Sequence, residues 1–532
     1  MSAMNRCVKI MVLLIFLFIS CGRPSFLKKE LDTFVINLTS DPAILNPLLA
    51  EDAYSSAIIS NIYESLLERD KKTLAMKGLL AKGWKVSSDY LTYTFYLRKD
   101  VKFHDGKPFS AKDVVFTYNK LMDPKTPNPY QKVYYQDVKS IAAEDDYTIV
   151  FKMKKPYFMT LEFLGGFEIL PEHIFSKVED FVQNEYNHHN PIGTGPYLFE
   201  RWKAREKVTL KRNENYWGQK PEIKRIEYQI IENSAVALQA LKKRDLDYLN
   251  LTPFQWEKQS KSRSFENHFN KYKYISRGYR YIGYNTRVFP FEDKRVRKAL
   301  TYLIDREKIR KTILLNLAEI TTGPFWIESK QYNKKLLARN YNPAKASEYL
   351  KEAGFVDSNK DGVLDKNGKP LEFELMIPSG SSDFYPRFAA SIKEDMQKAG
   401  VKINVRQIQF QALVDKLNKR EFQASMLGWS QGIESDPYQL WHSSQIPKGH
   451  NFTQFTTKEL DNLIEKARLE FDEEKRNNMY HRVHEILYEN QPYTFLYTGY
   501  NLLAVNKRFQ VEVYPMGVDY HEWKINKDYK ME

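Results

Sequence analysis

Acid, base or metal chemistry in this chain would have to come from 10 histidines and 67 acidic residues, and their spacing organises no catalytic constellation. His484-Glu485 lacks the second histidine four residues on that a zinc-protease helix requires. No GxSxG elbow presents a nucleophilic serine, and no CxxC pair exists. The turn from Gly193 to Leu198 has two glycines and no following lysine, so it is not a phosphate-binding loop. His188 and His189 are adjacent, a spacing that seldom lets two imidazoles share one metal. The expectation is a protein that binds without catalysing. An exported hydrolase built from scattered carboxylates is the competing enzyme reading.

One loop has the residue order of a cation site. Asp357, Asn359, Asp361 and Asp365, with Gly362 between them, match the first nine positions of an EF-hand-like calcium loop. Oxygen ligands at alternate positions wrap a hard cation, and the glycine permits the sharp turn. Position twelve, where a bidentate glutamate belongs, is Gly368. The loop is either an Asx- and Gly-rich hairpin or a structural calcium site closed by a distant carboxylate. No other cofactor is called for.

The elements around these residues form an α/β pattern. Leu91, Tyr93, Phe95 and Leu97 alternate with polar neighbours, as do Tyr147, Ile149, Phe151 and Met153, the period of half-buried strands. Ser110 to Asp113 reads as a capping box opening a helix. Asn342-Pro343 and Gly354 bracket a second helix. Residues 386 to 399 predict a helix stopped by Gly400, then a strand with Val401, Ile403 and Val405. A helix over 411 to 420 and a strand from Phe422 to Trp429 follow. Alternating strands and helices predict a largely parallel open sheet, in which ligands sit beyond the carboxyl ends of strands. Gly428-Trp429 stands at such an end. The chain's length implies two or three domains.

The N-terminus reads as an export signal. Arg6 and Lys9 precede an apolar run from Ile10 to Ile19, too short to span a bilayer. Phe18-Ile19-Ser20-Cys21 resembles a bacterial lipobox, which implies cleavage after residue 20 and a diacylated Cys21. More than one acyl chain gives stable anchoring. Removal of 1–20 also removes Cys7, the only other cysteine, so no disulfide is expected. The net charge of +14 is spread among acids; even Lys294-Arg295-Val296-Arg297-Lys298 follows Glu292-Asp293. That reads as a solvated surface with some attraction to anionic lipid, not as a nucleic-acid interface.

Several segments in order carry a resemblance. Leu80 to Trp84, Tyr93 to Arg98, Phe103 to Phe109 and Ser110 to Tyr118 are similar to the N-terminal signature of the family 5 bacterial extracellular solute-binding proteins. Pro191 to Tyr197 and Leu210 to Trp217 look like its middle signature. Phe291 to Leu300, Ile304 to Arg306 and Asn342 to Phe355 match later ones. The resemblance runs from about residue 35 to 510. It implies a class II periplasmic-binding-protein-like α/β fold, two lobes joined by a hinge, with an inserted third domain. The expected partition is lobe I from 30–60, 190–285 and 501–532, an inserted domain over 61–189, and lobe II over 286–500. It further implies a monomeric receptor on the outer side of the cytoplasmic membrane that closes on a peptide and delivers it to an ABC permease.

Carried over by position, Gly428 and Trp429 line the cleft. Glu51 and Tyr54 fall in the N-terminal cleft segment, and Tyr130, Tyr134 and Tyr135 fall where the inserted domain contributes an aromatic. Asn285 and Tyr497 lie near the interlobe crossings. Peptide binders of the family carry an aspartate a few residues after Gly-Trp that anchors the ligand ammonium. Here Gln431 and Gly432 stand at that place, leaving Glu434 or Asp436 to reach in, with Asp436-Pro437 also readable as a turn and helix start. The competing ligands are therefore N-blocked or cyclic peptides, or a metal chelate, sugar or opine. A signalling or chaperone-like lipoprotein independent of transport is a further reading.

Overall fold

The computed structural model describes residues 32–380 and 384–529. The expected signal peptide and Cys21 lie outside them. An eight-stranded sheet, a five-stranded sheet and a four-stranded sheet are the three main layers.

The eight-stranded sheet draws on distant parts of the chain. Thr33–Leu38 runs parallel to Arg225–Ile230 along its whole length, and Tyr197–Lys203 and Lys207–Arg212 extend that side as a hairpin. On the other side stand Tyr248–Asn250 and Tyr497–Asn506, the latter paired with Phe269–Ile275 and Ala318–Ile320. The helix Ala53–Ile62 follows the first strand, capped by Asp52, whose carboxylate accepts from the Ser55 N–H.

The four-stranded sheet has Ala81–Val86, Thr92–Leu97, Thr148–Met153 and Val138–Asp145 in that order, all antiparallel. The capping box at Ser110 opens the helix Ala111–Met122 as expected. One continuous core joins this sheet to the eight-stranded one, with Phe34, Ile62, Phe95, Phe151 and Trp523 among its buried members. The Gly193-Thr194-Gly195 turn docks directly on the helix end: the Gly195 N–H donates to the Ile62 carbonyl at 2.9 Å, and a side chain at either glycine would strike that carbonyl.

The five-stranded sheet has the order Lys402–Ile408, Glu372–Pro378, Ala424–Ser430, Gly278–Tyr284, Tyr493–Phe495. The predicted helices over 343–352, 384–397 and 410–418 are present within two residues of their expected ends. Gly354 and Gly400, at φ +88° and +74°, follow two of them in the left-handed conformation that glycine tolerates. The largely parallel sheet expected here is mixed instead. Its first three strands are parallel, while Gly278–Tyr284 and Tyr493–Phe495 pair antiparallel. Both of these strands lie next to chain crossings from the eight-stranded sheet, so their direction is set by entry and exit rather than by a βα repeat. Alternate residues face two cores. Ala424 and Met426 pack with Ile392 and Leu300 on one side, and Leu427 packs with Leu413, Ile464 and Tyr480 on the other.

Candidate functional site

The chain passes directly from a strand of one large sheet to a strand of the other at Ser276-Arg277 and at Leu496. Beside these crossings the strand Ala424–Ser430 ends, and its backbone is the first element of the site. The Gln431 N–H donates to the Arg277 carbonyl at 2.7 Å, continuing the antiparallel ladder. Odd-numbered residues of this strand therefore bond to Gly278–Tyr284, and the N–H and C=O of Gly428 and Ser430 point to the opposite edge. On that edge only Ala424 and Ser425 are paired, with Leu375 and Met376, among the described residues. Gly428 is exposed and adds no side chain there.

Trp429 leans to the other face. Its ring lies 6.1 Å from Phe452 at 20° and 5.6 Å from His450, and its Nε1 donates to the Tyr493 hydroxyl at 3.4 Å. Tyr493 stacks on Tyr281 at 3.8 Å. On the Gly428 side, the exposed Arg280 guanidinium lies over Phe384 and Tyr385 and bonds to the Tyr385 hydroxyl.

The loop after the strand holds both acids named from sequence. Glu434 accepts from Arg476 at 3.2 Å. Asp436 Oδ2 accepts from the Tyr157 hydroxyl and lies 2.9 Å from Arg468 Nε, and Oδ1 accepts from the Tyr438 N–H in the turn that starts the helix Tyr438–Trp441. Tyr134 is 40% exposed and stacks on Phe163, within reach of the Asp436 and Arg468 charges. Glu434 and Asp436 follow Gly428-Trp429 on the loop after the strand, and Tyr134 lies within electrostatic reach of Asp436. Tyr135 is buried, with its hydroxyl donated to the Phe163 carbonyl. The Tyr130 side chain lies outside the described set.

Tyr54 stands at the carboxyl end of Thr33–Leu38 through its contact with Thr39, and Glu51 lies just before the Ala53–Ile62 helix that carries Tyr54. Glu51 is exposed, and the Tyr54 hydroxyl is 2.8 Å from Thr39 Oγ1. Asn285 and Tyr497 are buried in packing contacts. The Asn285 amide donates to the Arg420 and Phe422 carbonyls and accepts from Gln454, and the Tyr497 hydroxyl donates to the Arg306 carbonyl. In the candidate cation loop the carboxylates accept from the loop's own groups: Asp357 from the Gly362 N–H, Asp361 from Asn359 and Val363, Asp365 from Ser358. No cluster of three metal-ligating side chains occurs among the described residues.

Sequence reasoning did not find Tyr157, Arg468 or Arg476, whose partners lie far along the chain. It also missed Glu64. That carboxylate is 5% exposed, accepts from the Tyr216 hydroxyl at 2.6 Å and Trp217 Nε1 at 3.0 Å, and is pushed up to about 7 by burial. It borders a cavity of about 700 Å³ away from Trp429, lined also by Tyr63, Asp519 and His521.

Residues 75–449 match the model of the bacterial extracellular solute-binding proteins, family 5. The chain is also 32% identical over 512 residues to the oligopeptide-binding protein AppA of Bacillus subtilis, covering 94% of this chain and 91% of that one. The chain belongs to family 5. The family 5 protein is 27% identical to the dipeptide-binding protein of Escherichia coli, over 86% of this chain and 88% of that one. Among solved structures it superposes on Bacillus subtilis AppA in complex with a nonapeptide, with a TM-score of 0.81, 31% identity, and 93% and 99% of the two chains covered. It superposes on NikZ of Campylobacter jejuni in complex with Ni(L-His) with a TM-score of 0.79 at 29% identity, covering 93% and 99%. The expected family and its α/β binding-protein fold are both borne out.

Proposed function

We propose that this family 5 protein captures peptides outside the cytoplasmic membrane and delivers them to an ABC importer, with no chemistry on the ligand. The observation that carries the reading is the open edge at Gly428 and Ser430. An extended peptide adds to such an edge through main-chain hydrogen bonds, which hold any sequence equally well, while side pockets supply selectivity. Trp429, Tyr134, Tyr54 and Glu51 are the side chains assigned to those pockets. The relatives named for oligopeptide and dipeptide binding support the same class of ligand.

The eight-stranded sheet is assigned to lobe I and the five-stranded sheet to lobe II. The four-stranded sheet is assigned to an inserted domain over 61–189, and the hinge to residues near 276 and 496. Export and lipidation at Cys21 complete the proposal, with the lipid holding a monomeric receptor at the membrane. The Asp357–Asp365 loop is assigned as a hairpin closed by its own hydrogen bonds.

Native mass spectrometry of protein purified from its own cells tests the ligand class. Co-purified peptides are expected. Recovery of only metal chelates or sugars would overturn the reading, and the NikZ likeness makes the chelate the more informative of those two results.

A further inference from the structure

Arg468 is held between two tyrosine rings and beside one carboxylate. Its guanidinium carbon lies 4.7 Å from the Tyr157 ring centroid and 4.2 Å from that of Tyr438, and Nε is 2.9 Å from Asp436 Oδ2. Tyr157 donates to the same oxygen at 2.9 Å across 279 positions of sequence. The next residue extends the contact: the Phe158 N–H donates to the Arg468 carbonyl at 3.0 Å, and the Arg476 guanidinium lies 4.4 Å over the Phe158 ring. Side chains of Asp436 and Arg468 are 9% and 20% exposed, so the ion pair is shielded from solvent screening more than a surface pair.

This contact joins the segment carrying the four-stranded sheet to that carrying the five-stranded sheet without using the hinge crossings. The Asp436–Arg468 ion pair lies within the second segment, and what crosses is the charge-assisted Tyr157–Asp436 hydrogen bond, the Phe158–Arg468 backbone bond and the two cation–ring contacts, which form only when the two segments are together. Separation would break the Tyr157–Asp436 hydrogen bond, open the Asp436–Arg468 pair to solvent and return the Phe158 amide to water. A cleft closes by such contacts made in one state and lost in the other.

The same geometry settles the use of Asp436. Both carboxylate oxygens are engaged, Oδ2 by Tyr157 and Arg468 and Oδ1 by the Tyr438 N–H. Arg468 neutralises its charge. Glu434, two residues before, is likewise paired with Arg476. A ligand ammonium arriving after Gly428-Trp429 meets acids that already have partners.

We propose that Tyr157, Arg468 and Asp436 are positioning residues that latch the inserted domain to lobe II, and that Asp436 serves this latch instead of anchoring a ligand amine. The latch explains how the acid can stand near the cleft and still leave amine-free peptides as ligands. This inference rests on the peptide-binding reading for its ligand arm alone.

Two measurements on the full mature chain test it. Hydrogen exchange of the segment around Phe158 reads the latch without any ligand, because that amide is protected by a bond across the contact. Tyr157→Phe, which removes one hydroxyl from an intact ring, and Asp436→Asn should each speed exchange there several-fold while leaving exchange in the strand Thr92–Leu97 unchanged. Calorimetry with nonapeptides in free-amine and N-acetylated form then reads the role in binding. Both variants should weaken both forms alike by about tenfold, the change that loss of one charge-assisted hydrogen bond carries. Loss confined to the free-amine form in Asp436→Asn would make Asp436 an amine anchor and overturn the proposal. Unchanged exchange at Phe158 in both variants would overturn it too. If the parent chain binds neither peptide form, the peptide reading fails and the exchange result still decides the latch.

Discussion

Arg508 and Asp247 meet as an enclosed ion pair, with Nη2 2.5 Å from Oδ2 and 1% and 0% of the two side chains exposed. Asp247 also accepts from the Val35 N–H at 2.9 Å, and Arg508 reaches the Thr33 carbonyl. One pair thus ties the first described strand, the middle of the chain and its C-terminal part into the eight-stranded sheet. Arg508→Met should destabilise the protein by roughly 3–5 kcal/mol, because a buried carboxylate loses its cation. A lowered urea midpoint would show this. The double variant Arg508→Met with Asp247→Leu should recover part of the loss.

Glu64 predicts a specific pH dependence. Its carboxyl is raised from an ordinary value of 4.5 to about 7, so the folded protein holds a proton that the unfolded chain has released. Stability from this group is present at low pH and falls as pH rises from about 4.5 to about 7, by a few kcal/mol at most. Glu64→Gln keeps an acceptor for Tyr216 and Trp217 and cannot ionise. Melting temperatures of the two proteins should converge near pH 4.5, and the variant should be the more stable at pH 8. Parallel curves over that range would reject the assignment.

Gly323 should tolerate no side chain. A Cβ there would overlap the His484 ring, which is fully buried and held between Thr322 and the Asn333 N–H. Gly323→Ala should cost roughly 1–3 kcal/mol by overpacking, read as a lower denaturation midpoint.

At the candidate cleft, Gly428→Val and Trp429→Ala should act differently. Valine would cover the open strand edge and press on the Tyr279 carbonyl, and should weaken every peptide alike. Removing the indole should cost selected peptides about tenfold or more and spare others, as loss of one aromatic pocket wall does. Calorimetry across a peptide panel separates the two patterns.

The Asp357–Asp365 loop can be tested by chelation. Its carboxylates already accept hydrogen bonds from Gly362, Val363 and Ser358. The melting temperature should be the same with calcium and with a chelator; a fall on chelation would establish a structural cation.

Local order was readable from the residues alone. Period-two alternation around Tyr93 and Ile149, the Ser110 capping box, the Asn342-Pro343 start and the glycines after two helices all act within a few residues, where sterics and local hydrogen bonds decide. The ordered motifs from Leu80 to Phe355 carried the family for the same reason, since each is a short local pattern. What the sequence left open depended on partners far along the chain. The sheet's mixed direction came from two crossings about 220 residues apart, and the pairing of Arg508 with Asp247 spans 261 positions. The largest difference concerns the acid near Gly428-Trp429. The family resemblance left Glu434 or Asp436 to reach a ligand amine, with Asp436-Pro437 also readable as a turn and helix start. Tertiary structure gave them Arg476 and Arg468 as partners, because a carboxylate leaving bulk water takes the nearest cation that folding brings to it.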